Sequence, residues 1–238
     1  MPPYLSRRHS PSPPPDAQRR RGGQGGAYDT ATVLTVVDHP LALHLVTSLR
    51  DRETPPTVFR TLTRRLTLAL VLEATRDLPT APRRVETPLE PVEGREIPTP
   101  LVAIPILRAG LGMLEAVTDT FPGVAVGYIG LERDDRTLQP TSYYEKLPDL
   151  AGNHALLLDP MLATGGSAVR ASASILSQGP ASLRMVCVVA APEGVRAMEE
   201  NHPDVPIYAA ALDRELNDQG YILPGLGDFG DRLYGTEP

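Results

Sequence analysis

Cysteine, tryptophan and long apolar runs are what this sequence has least of, and each shortage excludes something. The single cysteine, Cys187, lies inside the apolar run Met185-Val186-Cys187-Val188-Val189, and there is no tryptophan. One thiol excludes a disulfide scaffold and any cysteine-built zinc site, and it suits a reducing, cytoplasmic setting. No stretch approaches the roughly 20 apolar residues of a membrane-spanning helix, and the N-terminus lacks the hydrophobic segment of a signal peptide. The expectation is a soluble intracellular protein with no membrane partner. Positive charge is short as well: Lys+Arg 23 stand against Asp+Glu 29. Residues 1–28 carry five Arg and one Asp, a charge of +4, which leaves −10 for the rest. An acidic body argues against a general nucleic-acid surface.

Proline is in excess, 26 of 238 residues, roughly twice the usual share of about 5%. Six prolines fall in residues 1–15 and eight in residues 55–100. The Pro-, Ser-, Arg- and Gly-rich residues 1–30 cannot build a core and read as a disordered basic tail. Residues 31–238 are long enough for one good core. Within them, residues 79–100 hold too much proline and charge for a central strand and fit an arm or irregular hairpin.

Elsewhere the pattern is regular. Asp38 is placed to cap a helix lined by Leu41, Leu45, Val46 and Leu49, and a second helix runs over about 56–76. Apolar strands at 101–107, 124–131, 154–158, 183–190 and 207–212 alternate with helices at 111–120, 167–177 and 192–201. That alternation indicates an α/β fold, a parallel sheet covered by helices on both faces. An irregular, charged segment at 132–147 interrupts it as a candidate flap. Residues 213–238, with five glycines among charged and aromatic residues, read as a long ordered loop, and such loops tend to be functional.

Chemistry concentrates where strands run into small residues. Leu156-Leu157-Leu158 leads into Asp159, Pro160, Met161, Leu162, Ala163, Thr164, Gly165, Gly166 and Ser167, a strand, turn and helix start. Adjacent glycines let backbone amides converge, and the helix N-terminus favours an anion. This is a phosphate cradle, without the Lys of the GxxxxGK[ST] loop. A plain strand-to-helix turn capped by Ser167 is the simpler alternative. A second loop, Pro105-Ile106-Leu107-Arg108-Ala109-Gly110-Leu111-Gly112, sets an Arg at a strand's carboxyl end, where ligands bind in open α/β sheets and a guanidinium can grip phosphate oxygens. An Arg that merely caps the strand end is the alternative there. Between them, the segment carrying Arg133 and Lys146 could close over a polyanion, and a solvated surface loop is the plainer alternative.

Together with Ala190-Ala191-Pro192-Glu193-Gly194-Val195 and the run from Gly220 to Thr236, which holds Leu226-Gly227-Asp228-Phe229-Gly230-Asp231, these motifs resemble the uracil phosphoribosyltransferase family over about residues 33–238. The resemblance implies a type I phosphoribosyltransferase-like fold with a β-arm at 79–100, a flap at 132–147 and a C-terminal hood at 213–238. It implies transfer of the phosphoribosyl group of phosphoribosyl diphosphate to uracil N1, giving UMP and diphosphate in pyrimidine salvage.

By the same resemblance, residues 159–167 hold the 5′-phosphate and ribose, Arg108 and Arg133 hold the diphosphate, and Ile222, Gly227, Asp228 and Phe229 read uracil largely through their backbone. Asp228 also stands beside phosphoribosyl diphosphate, and with Arg108 it is the candidate catalytic residue. A turn aspartate bonded to its own backbone is the plainer reading of Asp228. Mg²⁺ is the implied cofactor, held mainly by substrate oxygens and water with no direct protein ligand, because Ala163 stands where a second acid often sits in other phosphoribosyltransferases. Many bacterial relatives have Ala in place of Phe229, which bears on tolerance for substituted uracils. A homo-oligomer is implied, and GTP is an effector in parts of the family, although no motif in this chain marks a GTP site. The rival readings are an RNA-binding regulator of pyrimidine genes on the same fold, and a phosphoribosyltransferase for another base.

Overall fold

Continuous apolar strands need cover on both faces, and that need sets the architecture of the computed structural model, which describes residues 33–133 and 140–236, except the side chains of 132, 133 and 140–142. The tail at 1–30 lies outside the described residues. In chain order the elements are β1 (Leu34–Val36), α1 (Pro40–Arg50), α2 (Pro56–Ala74), β2 (Ala81–Glu86), β3 (Pro91–Glu96), β4 (Leu101–Leu107), α3 (Leu111–Thr120), β5 (Ala125–Val126), β6 (Tyr128–Arg133) and β7 (Pro140–Lys146). They continue with β8 (His154–Leu158), β9 (Met161–Leu162), α4 (Gly166–Leu176), β10 (Ser182–Ala190), α5 (Pro192–Asn201), β11 (Ile207–Leu212), β12 (Glu215–Leu216), β13 (Ile222–Leu223) and α6 (Phe229–Tyr234).

The main sheet has the order β1-β11-β10-β8-β4-β6-β7. All neighbours along it are parallel except β6 and β7, which pair antiparallel. Alternation along each strand divides the core in two. Val102, Ile104 and Ile106 of β4 join Ala155 and Leu157 of β8 and Met185 and Cys187 of β10 on the face covered by α4 and α5. Leu101, Ala103, Leu156, Leu158, Val186 and Val188 face α1, α2 and α3. Cys187 is buried and unpaired, and burial raises its thiol pKa well above the usual range.

Among the described residues β2 and β3 pair only with each other, as a two-stranded arm. Pro82 and Pro91 sit in its ladder, a place that a two-stranded ribbon tolerates and a central strand does not.

Four local expectations differ from what is observed. His39, not Asp38, caps α1: the helix begins at Pro40, and His39 Nδ1 accepts from the Leu41 amide at 3.0 Å. The strand expected at 124–131 is broken into β5 and β6 at Gly127, whose amide donates to Ala103 O at 3.0 Å. A Cβ at Gly127 would lie 2.7 Å from Leu147 Cδ2, so the chain bends there around a packed leucine. The segment at 132–147 is not irregular where it is described, since β7 returns along β6 as an antiparallel hairpin. Residues 134–139 at its tip lie outside the described residues. The C-terminal stretch is also more regular than its glycines suggest, holding the β12–β13 pair and α6, which buries Phe229 and Leu233.

Candidate active site

Parallel pairing of β4, β8 and β10 brings their carboxyl ends to one edge, so the loops that follow β4 and β8 emerge side by side. After β8, the Asp159 amide donates to Val186 O at 3.2 Å and the Pro160 carbonyl accepts from Val188 and Val189. The chain then turns at Gly165, which has a φ of 84° and precedes α4. That left-handed conformation is available to glycine at no steric cost. The first amides of α4 have no carbonyl a turn earlier to bond, so they are available to an anion.

This turn is pressed against α5. A Cβ on Gly165 would come within 2.7 Å of Ala197 Cβ, and one on Gly194 within 2.6 Å of Ala163 O and 2.8 Å of Leu162 O. The Pro192-Glu193-Gly194 motif is therefore the floor of the cradle, a role that sequence reading did not assign to it.

Asp159 is partly buried at the head of the cradle, and its carboxylate accepts from the Met161 amide at 3.3 Å. Burial wins over that bond and pushes its pKa up to about 7. Arg108 is exposed at the mouth of its loop, and among the described residues it forms no ion pair. Its carbonyl accepts from Tyr234 Oη at 3.2 Å, which ties the β4 loop to α6. Gly110 packs the β4 loop onto the end of β8, where the cradle begins: a Cβ there would stand 2.4 Å from Leu158 O. Arg133 is the last residue of β6, opposite Pro140; its side chain lies outside the described residues. Tyr144 and Lys146 are exposed on β7, and the hairpin is tied to α4 by Ser174 Oγ donating to Glu145 Oε1 at 2.6 Å.

The C-terminal segment folds back toward this edge. Ile222 is buried in β13, and Gly225 and Gly227 both take positive φ. Asp228 is the N-cap of α6, one oxygen accepting from the Asp231 amide at 2.9 Å. The plainer reading of Asp228 thus describes one carboxylate oxygen and leaves the other open. Phe229 does not present its ring to a ligand. Its side chain is 2% exposed and packs edge-on against Phe59 with centroids 5.1 Å apart, while the Arg232 guanidinium stands 4.6 Å from the Phe59 ring centre. Arg232 also donates to the carbonyls of Leu226, Leu49 and Asp51, linking this segment to the α1–α2 turn. Arg232 and Tyr234 were not legible as site residues, because their partners are far away in sequence.

A parallel sheet whose carboxyl edge offers an arginine loop and a glycine cradle, roofed by a C-terminal segment, defines a type I phosphoribosyltransferase-like protein. A family model described as uracil phosphoribosyltransferase matches residues 36–236. A protein named uracil phosphoribosyltransferase from Dictyoglomus turgidum is 48% identical over 207 residues, covering 86% of this chain and all of its own length. One of the same name from Bacillus cytotoxicus is 50% identical over 206 residues, covering 86% and 99%. Among solved structures, the AQ2163 protein from Aquifex aeolicus superposes with a TM-score of 0.81 at 39% identity, covering 84% of this chain and 97% of that one. The chain belongs to the uracil phosphoribosyltransferase family.

Proposed function

We propose that the chain transfers the phosphoribosyl group of phosphoribosyl diphosphate to N1 of uracil, releasing diphosphate and forming UMP. The bond from C1 of the ribose to the diphosphate oxygen breaks, the bond from C1 to N1 forms, and the N1 proton is released. The observation that carries this reading is that Gly110 of the Arg108 loop packs on Leu158 O, at the end of the strand that leads into the 159–167 cradle, so that the arginine loop and the cradle start side by side, an arrangement suited to a ligand with a phosphate at each end.

In this reading the 163–167 turn binds the 5′-phosphate through backbone amides, Asp159 accepts from ribose hydroxyls, and Arg108 grips the leaving diphosphate with Arg133 above it. Ile222 and residues 227–229 align the base by backbone readout. Charge that develops at C1 needs orientation and exclusion of water more than a covalent nucleophile. The hard carboxylate oxygens of Asp159 and Asp228 fit Mg²⁺ held through water and substrate oxygens. When bound, the ion would neutralise the departing diphosphate. Among the described residues no cluster of three or more His, Cys, Asp or Glu could hold a metal alone.

The test is a substrate panel with Mg²⁺ and phosphoribosyl diphosphate. Turnover of uracil but not cytosine, hypoxanthine or xanthine is the expected result. Turnover of hypoxanthine alone would overturn it, as would RNA binding without any turnover.

Asp159 supplies a pH signature. As a ribose acceptor it must be ionised, so kcat/KM for phosphoribosyl diphosphate is expected to fall as pH drops through about 7, and Asp159→Asn to flatten that limb while lowering the plateau. Stability runs the other way. Between the ordinary carboxyl value and about 7 the folded protein keeps a proton that the unfolded chain has lost, so this contribution is full at low pH and lost as pH rises through that window.

The resemblance further supports a homo-oligomer. Val85, Leu89 and Val92 are exposed on the arm as a ready apolar contact. GTP as an effector and a cytoplasmic location belong to the same reading; rates with and without GTP test the first. Among the described residues no helix is long and apolar enough to cross a membrane.

A further inference from the structure

A buried carboxylate is costly unless it is paired and hydrogen-bonded, and Asp213, immediately after β11, has a side chain only 4% exposed. Its backbone amide donates to Ala190 O at 2.8 Å, fixing it to the end of β10. Its partner is Arg50, the last residue of α1 and 163 positions away in sequence. Arg50 Nη2 donates to Asp213 Oδ1 at 2.6 Å and Nη1 to Oδ2 at 2.8 Å, a two-pronged fork. The pair does not stop at itself. Asp213 Oδ2 also accepts from the Gly225 amide at 2.9 Å, and Arg50 Nη1 also donates to Gly225 O at 2.7 Å. Both backbone groups of one glycine are thus held by side chains from two other elements.

Gly225 has a φ of 59°, and a Cβ there would lie 2.1 Å from Ile222 O. Holding Gly225 therefore holds the carbonyl of Ile222, and the Arg214 amide donating to Leu223 O at 2.9 Å closes the same turn from below. Apolar side chains of equal volume would stabilise the region at least as well as a buried ion pair, but they could not bond an amide and a carbonyl together. We infer that Arg50 and Asp213 are positioning residues for base recognition, setting uracil affinity through Gly225 without touching the base. The inference rests on the reading of residues 222–229 as the uracil site.

Asp213→Asn removes the charge that the fork needs, and Arg50→Lys keeps the charge but lacks a planar fork able to serve the carboxylate and Gly225 at once. With phosphoribosyl diphosphate saturating, both are expected to raise KM for uracil about tenfold or more. KM for phosphoribosyl diphosphate should change much less, because among the described residues no hydrogen bond or ion pair joins the Arg50 or Asp213 side chain to the cradle or the Arg108 loop. A merely structural pair would instead lower kcat through loss of active protein, leaving KM for uracil unchanged, and that result overturns the inference. If Asp213→Asn does not fold, Arg50→Lys decides by the same split. Amide exchange gives an answer independent of the reaction. Protection at 222–228 should fall about tenfold or more in Asp213→Asn or Arg50→Lys while protection at 160–167 holds; equal protection in both regions overturns the inference. Should the parent fail to use uracil while the 222–228 amides loosen as expected, the positioning of Gly225 stands and the assignment of the base fails.

Discussion

An Arg108→Ala protein is expected to lose about 10²–10³-fold in kcat/KM for phosphoribosyl diphosphate, the scale found when one preorganised donor to a developing negative charge is removed. The loss should come with little change in melting temperature. Arg108 is exposed and, among the described residues, has no ion-pair partner, so truncation leaves no buried carboxylate uncompensated. Its loop is held by other means: the Gly110 amide donates to Ile106 O at 2.9 Å, the Leu111 amide to Arg108 O at 3.1 Å, and Tyr234 Oη reaches the same carbonyl. All three involve backbone carbonyls that alanine retains. Arg108→Lys separates charge from geometry. It is expected to recover only part of the loss, because an ammonium cannot give two parallel bonds to a diphosphate. Initial rates across phosphoribosyl diphosphate concentrations, with a thermal melt of each variant, check both statements; parent-like rates for Arg108→Ala would remove Arg108 from the reaction.

The legible parts of this chain are those whose cause is local. Strands β4, β8 and β10 could be read because each is buried on both faces along its length and so must be apolar throughout. The cradle could be read because strand, glycine turn and helix follow one another without a gap. Distant contacts left no such trace. Gly127 breaks a strand because Leu147 packs onto it, and no window around residue 127 contains that leucine. Phe229 lies in a glycine-rich run that suggests an exposed ring beside a ligand, yet α6 has one buried face and Phe229 heads it against Phe59 of α2. In the proposed base site the Phe229 ring is therefore packing beneath the loop and not a surface for the base. Arg50 and Asp213 show the same limit: each reads alone as an ordinary surface charge, and only the fold brings them together around Gly225.

Gly110→Ala is expected to damage stability and substrate binding together, and the sign follows from comparing two effects. Gly110 has φ −59° and ψ −21°, a conformation that alanine adopts without strain, so on backbone grounds the change would stabilise by about 0.4–1 kcal/mol. Steric cost overrides that gain. The new Cβ would meet Leu158 O at 2.4 Å, Ile106 O at 2.7 Å and Ile106 N at 2.8 Å, all backbone atoms of buried strands that no rotamer change can move. Overpacking of that kind costs ~3 kcal/mol, which for a domain of this size lowers Tm by roughly 6–12 °C. The strain relaxes most easily by pushing the Arg108 loop away from Leu158, hence away from Asp159 and the cradle. A ligand bound at both ends registers that displacement, so KM for phosphoribosyl diphosphate should rise about tenfold or more, a 1 Å error in such a site being enough for larger losses. Two other glycines calibrate the result. At Gly112 the three atoms nearest the new methyl all belong to the Leu233 side chain, with the flexible far end, Cδ2, closest at 2.7 Å, and at Gly123 nothing lies within 4 Å. Gly123→Ala should leave Tm and KM near the parent's, Gly112→Ala should cost a fraction of the Gly110 effect, and equal melts for all three would show that the two ligand loops do not depend on the contact at Gly110.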